Sequence, residues 1–262
     1  MNQIDDATVK TAVRRRYREV ALAAGQGSVQ VAGDEGACCS PQSPLTSSGV
    51  PRREHARQLY GEGAMDLPDT VLNAVAGCGN TIELGQPRPG EVVVDLGSGG
   101  GIDAFLAGRA VGSEGRVIGI DMTPEMIALA RQNTRQVGAG NVEFRLGELE
   151  HLPVGDSTAD LVVSNCVITL APDKTVVFRE AYRVLRPGGR LAVSDIILTG
   201  DLPEAERRNA ELWAGCVAGA LPEADYLEAM RQAGFVAVEV AARSPSARPG
   251  VASIKVRAAT PA

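Results

Sequence analysis

The chain has 262 residues, 44% of them hydrophobic and 22% charged, with a formal net charge of −6. That length and mixture suit one large globular domain with short appendages, and the acidic balance argues against a nucleic-acid partner. No apolar run is long enough to span a bilayer and none reads as a signal peptide, so no membrane association is expected and the cytoplasm is the expected compartment.

Val9, Val13, Tyr17, Val20 and Ala24 recur at helical spacing and predict an amphipathic helix over 5–24, with Arg14-Arg15-Arg16 as an exposed face. The stretch from about Gly25 to Pro51 is rich in Gly, Ser, Gln and Pro, has no period, and reads as a loop that carries Cys38-Cys39. PRREHARQLY, with His55, reads as a solvated helix. Another short helix begins near Pro68 and stops before Gly77-Cys78-Gly79-Asn80.

From Gly90 the pattern alternates between strand and helix. EVVVDLG, RVIGID, NVEFRL, ADLVVSN and RLAVSDI are apolar on both faces and separated by helical stretches, which means a parallel sheet covered on both sides. Thr123 is the expected N-cap of the second of these helices, with Pro124 in its first turn. The turn Arg186 to Gly189 closes the last one. Two helical stretches, 203–217 and 222–233, then lead into FVAVEVAA and ASIKVRAA, a pair of terminal strands.

Gly97-Ser98-Gly99-Gly100-Gly101 sits between a strand and a helix N-terminus, where glycines let the backbone approach a ligand and free N–H groups face it. A dinucleotide fingerprint would need a small residue where Ile102 stands, so the G-x-G-x-G spacing, preceded by Asp95, favours another ligand. Asp121 ends the next strand, placed to accept ribose hydroxyls, and Met122 beside it can pack on a purine. Gly147-Glu148 forms a third loop at the same sheet edge. Gly-rich loops and strand-end acids are common singly; their order here is what carries weight.

This order resembles that of the class I S-adenosylmethionine-dependent methyltransferases over about residues 68–240. The resemblance implies a Rossmann-like α/β fold, a mainly parallel seven-stranded sheet with an antiparallel last strand, plus an N-terminal helical and loop extension. It also implies cofactor contacts from Asp95, Gly97, Ser98, Gly99, Gly101, Asp121, Met122, Gly147, Glu148 and Asn165. The expected division is 1–67 as N-terminal helix and arm, 68–200 as the cofactor-binding core, and 201–262 as substrate-wall helices and final strands.

Five cysteines are present, Cys38, Cys39, Cys78, Cys166 and Cys216, an odd count that makes a poor disulfide framework and suits thiols in a reducing compartment. A cysteine outside a disulfide is more often a small buried hydrophobe than a ligand. Cys166 directly follows the fourth strand, Cys216 lies in the region after the fifth, and Cys78 immediately precedes the domain. Three near one rim point to a soft, thiophilic acceptor. The strings GCGN, DLGSGGGID, SNCVI and GCVAGAL, together with FREAYRVLRPGGRLAVSDI, resemble those of the arsenite methyltransferases. That resemblance implies arsenic on Cys78, Cys166 and Cys216 and a thiol–disulfide role for Cys38 or Cys39. It also implies a reductant such as glutathione or thioredoxin as co-substrate. The alternatives are methylation of an organic acceptor such as a quinone, and arsenic binding without catalysis. His151, His55 and Trp213 read as rim, surface and packing residues.

Overall fold

The computed structural model describes residues 4–25 and 51–262; Cys38 and Cys39 lie outside them. Four helices, α1 (Asp6–Gly25), α2 (Arg52–Tyr60), α3 (Asp69–Leu72) and α4 (Thr81–Gly85), precede the sheet. The expected alternation follows as β1 (Val92–Leu96), α5 (Ile102–Val111), β2 (Arg116–Asp121), α6 (Pro124–Val137), β3 (Val142–Leu146) and β4 (Ala159–Asn165). It continues with α7 (Lys174–Val184), β5 (Leu185–Leu198), α8 (Glu204–Arg207), α9 (Ala210–Ala214), the two-residue β6 (Leu221–Pro222), α10 (Glu223–Gln232), β7 (Val236–Pro245) and β8 (Val251–Ala259).

The strands are ordered β3-β2-β1-β4-β5-β8-β7, with β6 beside β5. β1 to β5 run parallel, while β8 is antiparallel to both β5 and β7. Seven long strands with an antiparallel last one match the fold class expected, and β6 is the one addition. Order reverses between β1 and β4, where Leu96 pairs with Ser164. In open parallel sheets that reversal leaves a crevice at the strand ends.

Alternation along β1 explains the two cores. Val94 and Leu96 face α7 and α10, whereas Val93 faces α5 and α6, because successive strand side chains point to opposite faces. Aromatics are scarce, yet all four phenylalanines are used in edge-to-face pairs: Phe105 with Phe144, Phe178 with Tyr226, and Phe235 with Tyr182, at centroid separations of 5.6, 5.4 and 5.5 Å. No helix among the described residues is long and apolar enough to cross a membrane.

Two local expectations hold with a difference in detail, and a third is corrected. Thr123 stands at the N-cap of α6, but its side chain makes no capping bond; the Asp121 carboxylate accepts from its N–H at 2.8 Å instead. Arg186 to Gly189 does follow the end of α7, but it lies inside the range of β5 as a bulge, where pairing with β4 breaks register between Leu185 and Arg190 and Gly188 has a φ of +72°. There Thr260 Oγ donates to the Arg186 carbonyl at 2.7 Å, and the Gly188 N–H donates to that of Pro261 at 2.9 Å, so the chain's last residues extend the sheet. Arg14-Arg15-Arg16 is not one exposed face. Arg16 is buried, while Arg14 and Arg15 pair with Glu148 and Glu211.

Phe178 is fully buried between the sheet and α10. Phe178→Ala is expected to lower unfolding free energy by about 3–5 kcal/mol, measured as a shift of the urea midpoint at unchanged slope.

Candidate active site

The crevice at the β1/β4 reversal opens into a cleft with a cavity volume of about 100 Å³. Gly97, Ser98, Gly99 and Gly100 form one wall, Asp121, Met122 and Thr123 a second, and Asn165, Cys166 and Val167 a third. The helix α1 closes the top with Lys10, Val13 and Tyr17, and Tyr60 and Asp103 line the inner end. Gly99 has a φ of +51° and nothing within 4 Å of where a Cβ would stand, so the loop both needs a residue that tolerates left-handed backbone and presents bare backbone to the cleft. Its N–H donates to Asp121 Oδ2 at 3.1 Å, and Thr123 N–H to Oδ1 of the same carboxylate, which ties the glycine loop to the start of α6.

Charge at this end of the sheet is one-sided. Asp95 is 2% exposed and its Oδ2 has no hydrogen-bond partner among the described residues; Ser98 Oγ is likewise buried and unpartnered. Burial, and then the charges of Asp103 and Asp121, hold the Asp95 carboxyl well above the usual carboxylate range. Burial also raises Asp103 and Asp121, opposed by the hydrogen bonds each accepts. A ligand carrying positive charge would relieve this crowding.

Several sequence-predicted residues fall behind the cleft rather than on it. Asp95 lies beneath the glycine loop, and Gly101 opens α5 as its N-cap with φ +101°. Gly147 packs against Pro153. Glu148 binds Lys10 at 2.6 Å and Arg14, pinning α1 over the opening, while its neighbours Leu149 and Glu150 line the cleft. Lys10 also reaches Glu150 at 3.1 Å. Asp103, Tyr60 and the α1 side chains were not singled out from sequence. A carboxylate in a helix's first turn reads as a dipole partner, and no local pattern reveals that α1 returns to this edge.

The three cysteines of the described region converge. Cys78 and Cys166 form a disulfide with Cα atoms 6.1 Å apart, which corrects the expectation of thiols at these two positions. Cys216 is 3% exposed, and its Sγ donates to the Cys166 carbonyl at 3.6 Å. Both Cys166 and Cys216 have left-handed backbone, with φ of +57° and +63°, a strain that non-glycine residues adopt mainly where surrounding structure enforces it. With two of the sulfurs bonded to each other, no group of three His, Cys, Asp or Glu side chains among the described residues is arranged to hold a metal ion.

A buried polar cluster backs this wall. Asp195, fully buried within β5, accepts from Thr169 N–H at 3.0 Å, Tyr226 OH at 2.9 Å and Ile196 N–H at 2.8 Å. It thereby fixes the turn Ile168–Leu170 that follows Cys166. Lys174 is buried too, donating to the Ala171 carbonyl at 2.8 Å with its ammonium 5.0 Å from the Trp213 ring centre. Burial lowers its pKa to about 8. Trp213 itself donates to the Leu170 carbonyl at 3.0 Å. His55 donates through Nε2 to the Gly77 carbonyl at 3.0 Å rather than standing in solvent, and His151 is exposed beside Glu148.

A methyltransferase-domain family matches residues 87–234, more than half of the chain. The arsenic (III) S-adenosylmethionine methyltransferase CrArsM of Chlamydomonas reinhardtii has a crystal structure that superposes with a TM-score of 0.64 at 35% identity, covering 79% of this chain and 73% of that one. The chain belongs to the arsenite methyltransferase family. The arsenite methyltransferase of Halobacterium salinarum is 43% identical over 248 residues, 92% of this chain and 61% of that protein. That of Homo sapiens is 40% identical over 183 residues, 66% and 48% respectively. The chain thus spans about half to three fifths of the length of these curated relatives.

Asp195 gives the site a pH signature. Burial pushes its carboxyl up to about 6 from an ordinary 3.8, against three hydrogen bonds acting the other way. With the folded value above the unfolded one, the folded protein holds this proton more tightly, so its contribution is fullest below about pH 4 and is lost as pH rises through about 6. Asp195→Asn removes the titration. The stability difference should move toward the variant by on the order of 2 kcal/mol between pH 4 and 7, read from urea midpoints; a difference independent of pH would refute the buried charge.

Proposed function

We propose that this chain transfers methyl groups from S-adenosylmethionine to trivalent arsenic held by cysteine thiolates. The observation that carries this reading is the meeting of Cys78 and Cys216, from two separate segments, at Cys166, which lines the cleft that the glycine loop defines. An organic acceptor such as a quinone would require no such convergence.

The residues fit the cofactor. An unpartnered buried oxygen on Asp95, another on Ser98 and a surplus of negative charge suit a cationic sulfonium ligand. Asp121 is placed for ribose hydroxyls, and Met122, Val13, Tyr17 and Leu149 supply apolar surface for a purine. When bound, S-adenosylmethionine supplies a methyl group on a sulfonium, a displacement whose leaving group needs no proton. The protein's part is then to position the acceptor and exclude water, and α1, pinned through Lys10 and Arg14, does the excluding.

On the acceptor side the disulfide must open first. Two thiols of glutathione, or a dithiol such as thioredoxin, reduce the Cys78–Cys166 bond and leave as the oxidised reductant. Each cysteine thiol then displaces one hydroxyl of arsenite as water, forming an arsenic–sulfur bond. Three such bonds leave the arsenic lone pair opposite the sulfurs, where it serves as the nucleophile. Cys38 or Cys39 is the further thiol of this exchange.

Incubation with arsenite, S-adenosylmethionine and a thiol, followed by arsenic speciation, should yield methylated arsenic. Cys166→Ser and Cys216→Ser are expected to lose about two orders of magnitude or more of that activity while still binding S-adenosylhomocysteine. Full activity in either variant would overturn the arsenic assignment. Gly99→Ala tests the cofactor side: its Cβ enters the cleft, so affinity for S-adenosylhomocysteine should fall by about tenfold or more, while stability falls by only about 1 kcal/mol. Calorimetry on the purified variant measures both.

A further inference from the structure

Between the cofactor loop and the cysteines lies a hydrogen-bonded network centred on Asp103, in the first turn of α5. Its carboxylate is buried and accepts from three elements at once: Thr81 Oγ of α4 at 2.7 Å, Tyr60 OH of α2 at 2.9 Å, and Asn165 Nδ2 at the end of β4 at 3.1 Å. The Asn165 amide nitrogen also reaches the Gly79 carbonyl at 2.7 Å, and its Oδ1 accepts from the Cys78 N–H at 2.9 Å. Asn165 therefore holds the segment carrying Cys78 from both sides.

Glycines flank that cysteine because the segment lies directly on its supports. A Cβ on Gly77 would stand 2.5 Å from Asn165 Nδ2, and one on Gly79 would stand 2.3 Å from Ser194 Oγ. Ser194 Oγ in turn lies 3.4 Å from Cys78 Sγ. Nothing in this arrangement tolerates a side chain in place of either hydrogen.

An asparagine amide can face either way, presenting its oxygen or its nitrogen. A carboxylate only accepts, so Asp103, together with the Gly79 carbonyl and the Tyr60 hydroxyl oxygen at 2.9 Å, holds the Asn165 nitrogen on its side and leaves the oxygen toward Cys78. Reversing the amide would set an N–H donor against the Cys78 N–H. We propose that Asp103 is a positioning residue of the thiol site: by fixing the orientation of the Asn165 amide it keeps Cys78 within bonding reach of Cys166. Asp103 also lines the cofactor cleft, so one side chain serves both halves of the site. The assignment rests on the thiol-site reading above for its chemistry, but it is testable without arsenic or cofactor.

The test is the equilibrium in which the Cys78–Cys166 disulfide and two glutathione thiols give two cysteine thiols and glutathione disulfide, followed on the folded full-length chain by mass-resolved alkylation. Asp103→Asn keeps the size of the side chain and removes its charge and its acceptor-only character. It should shift that equilibrium toward the thiols by about tenfold, the scale of one lost hydrogen bond to a charged group. Asn165→Ala should do the same, and Asp103→Asn placed on Asn165→Ala should add little, because the first residue acts through the second. Unchanged equilibrium in Asp103→Asn, or fully additive effects, would overturn the proposal. In the parent chain the Cys78 amide should also be protected from hydrogen exchange; exchange at the rate of an open loop would overturn it even if the variants failed to fold. Failure of arsenite to bind the parent chain would instead count against the function and leave this equilibrium untouched.

Discussion

Leu96 and Ser164 are partners across β1 and β4, the one place where consecutive βα units wind in opposite directions and leave the sheet's carboxyl edge uncovered. The glycine loop after β1 and the Asn165-Cys166 pair after β4 are neighbours because of that single adjacency. α5 and α6 cover one face and α7 and α10 the other, so neither set crosses the crevice, and α1 is left to close it from above. Cofactor cleft and thiol cluster share a wall for the same reason, with Cys166 belonging to both.

That shared wall concentrates negative charge. Asp103 at the start of α5 and Asp121 at the end of β2 line the crevice, Asp95 of β1 lies beneath the glycine loop, and burial raises all three. Asp103 and Asp121 are stabilised by donors, three and two respectively in the bonds described above, whereas one oxygen of Asp95 is left bare. The cations stand at the rim instead, where Lys10 and Arg14 neutralise Glu148. Those pairs are partly exposed and individually weak, which suits a helix that must let a ligand in and out more than one that locks the fold.

Much of this was legible in the sequence. Apolar runs separated by helical stretches marked the parallel strands, though not their order in the sheet, and the strings around Gly97, Asp121 and Cys166 marked the edge at which they meet. What could not be read was the fate of side chains at loop positions adjacent to the right ones. Glu148 points to α1 while Leu149 and Glu150 take the wall, a difference of one residue that no loop composition encodes. Asp95, conspicuous before the glycines, lies under them. Asp103 and Tyr60 are bonded to each other across 43 residues of sequence, and only tertiary packing brings such partners into range. The expectation of thiols failed at Cys78 and Cys166 for a related reason: parity and compartment argue about disulfides in general, whereas pairing is decided by where the Cys78 segment lies on the end of β4.

The strain at Cys166 and Cys216 explains why so much buried polar structure surrounds them. Left-handed backbone at a residue with a Cβ costs roughly 1–2 kcal/mol, and glycine, which would remove that cost, has no sulfur. The fold must therefore enforce both conformations from outside. Cys166 N–H is held by the Ser194 carbonyl at 2.8 Å, and the following turn is held by Asp195 through Thr169. Cys216 is held through its N–H by the Trp213 carbonyl at 2.9 Å, with the Trp213 ring fixed between the Leu170 carbonyl and the Lys174 ammonium. Cys78 needs no such backbone strain because its flanking glycines and the Asn165 amide achieve the same end. Three different local devices thus bring three sulfurs together at one strand end.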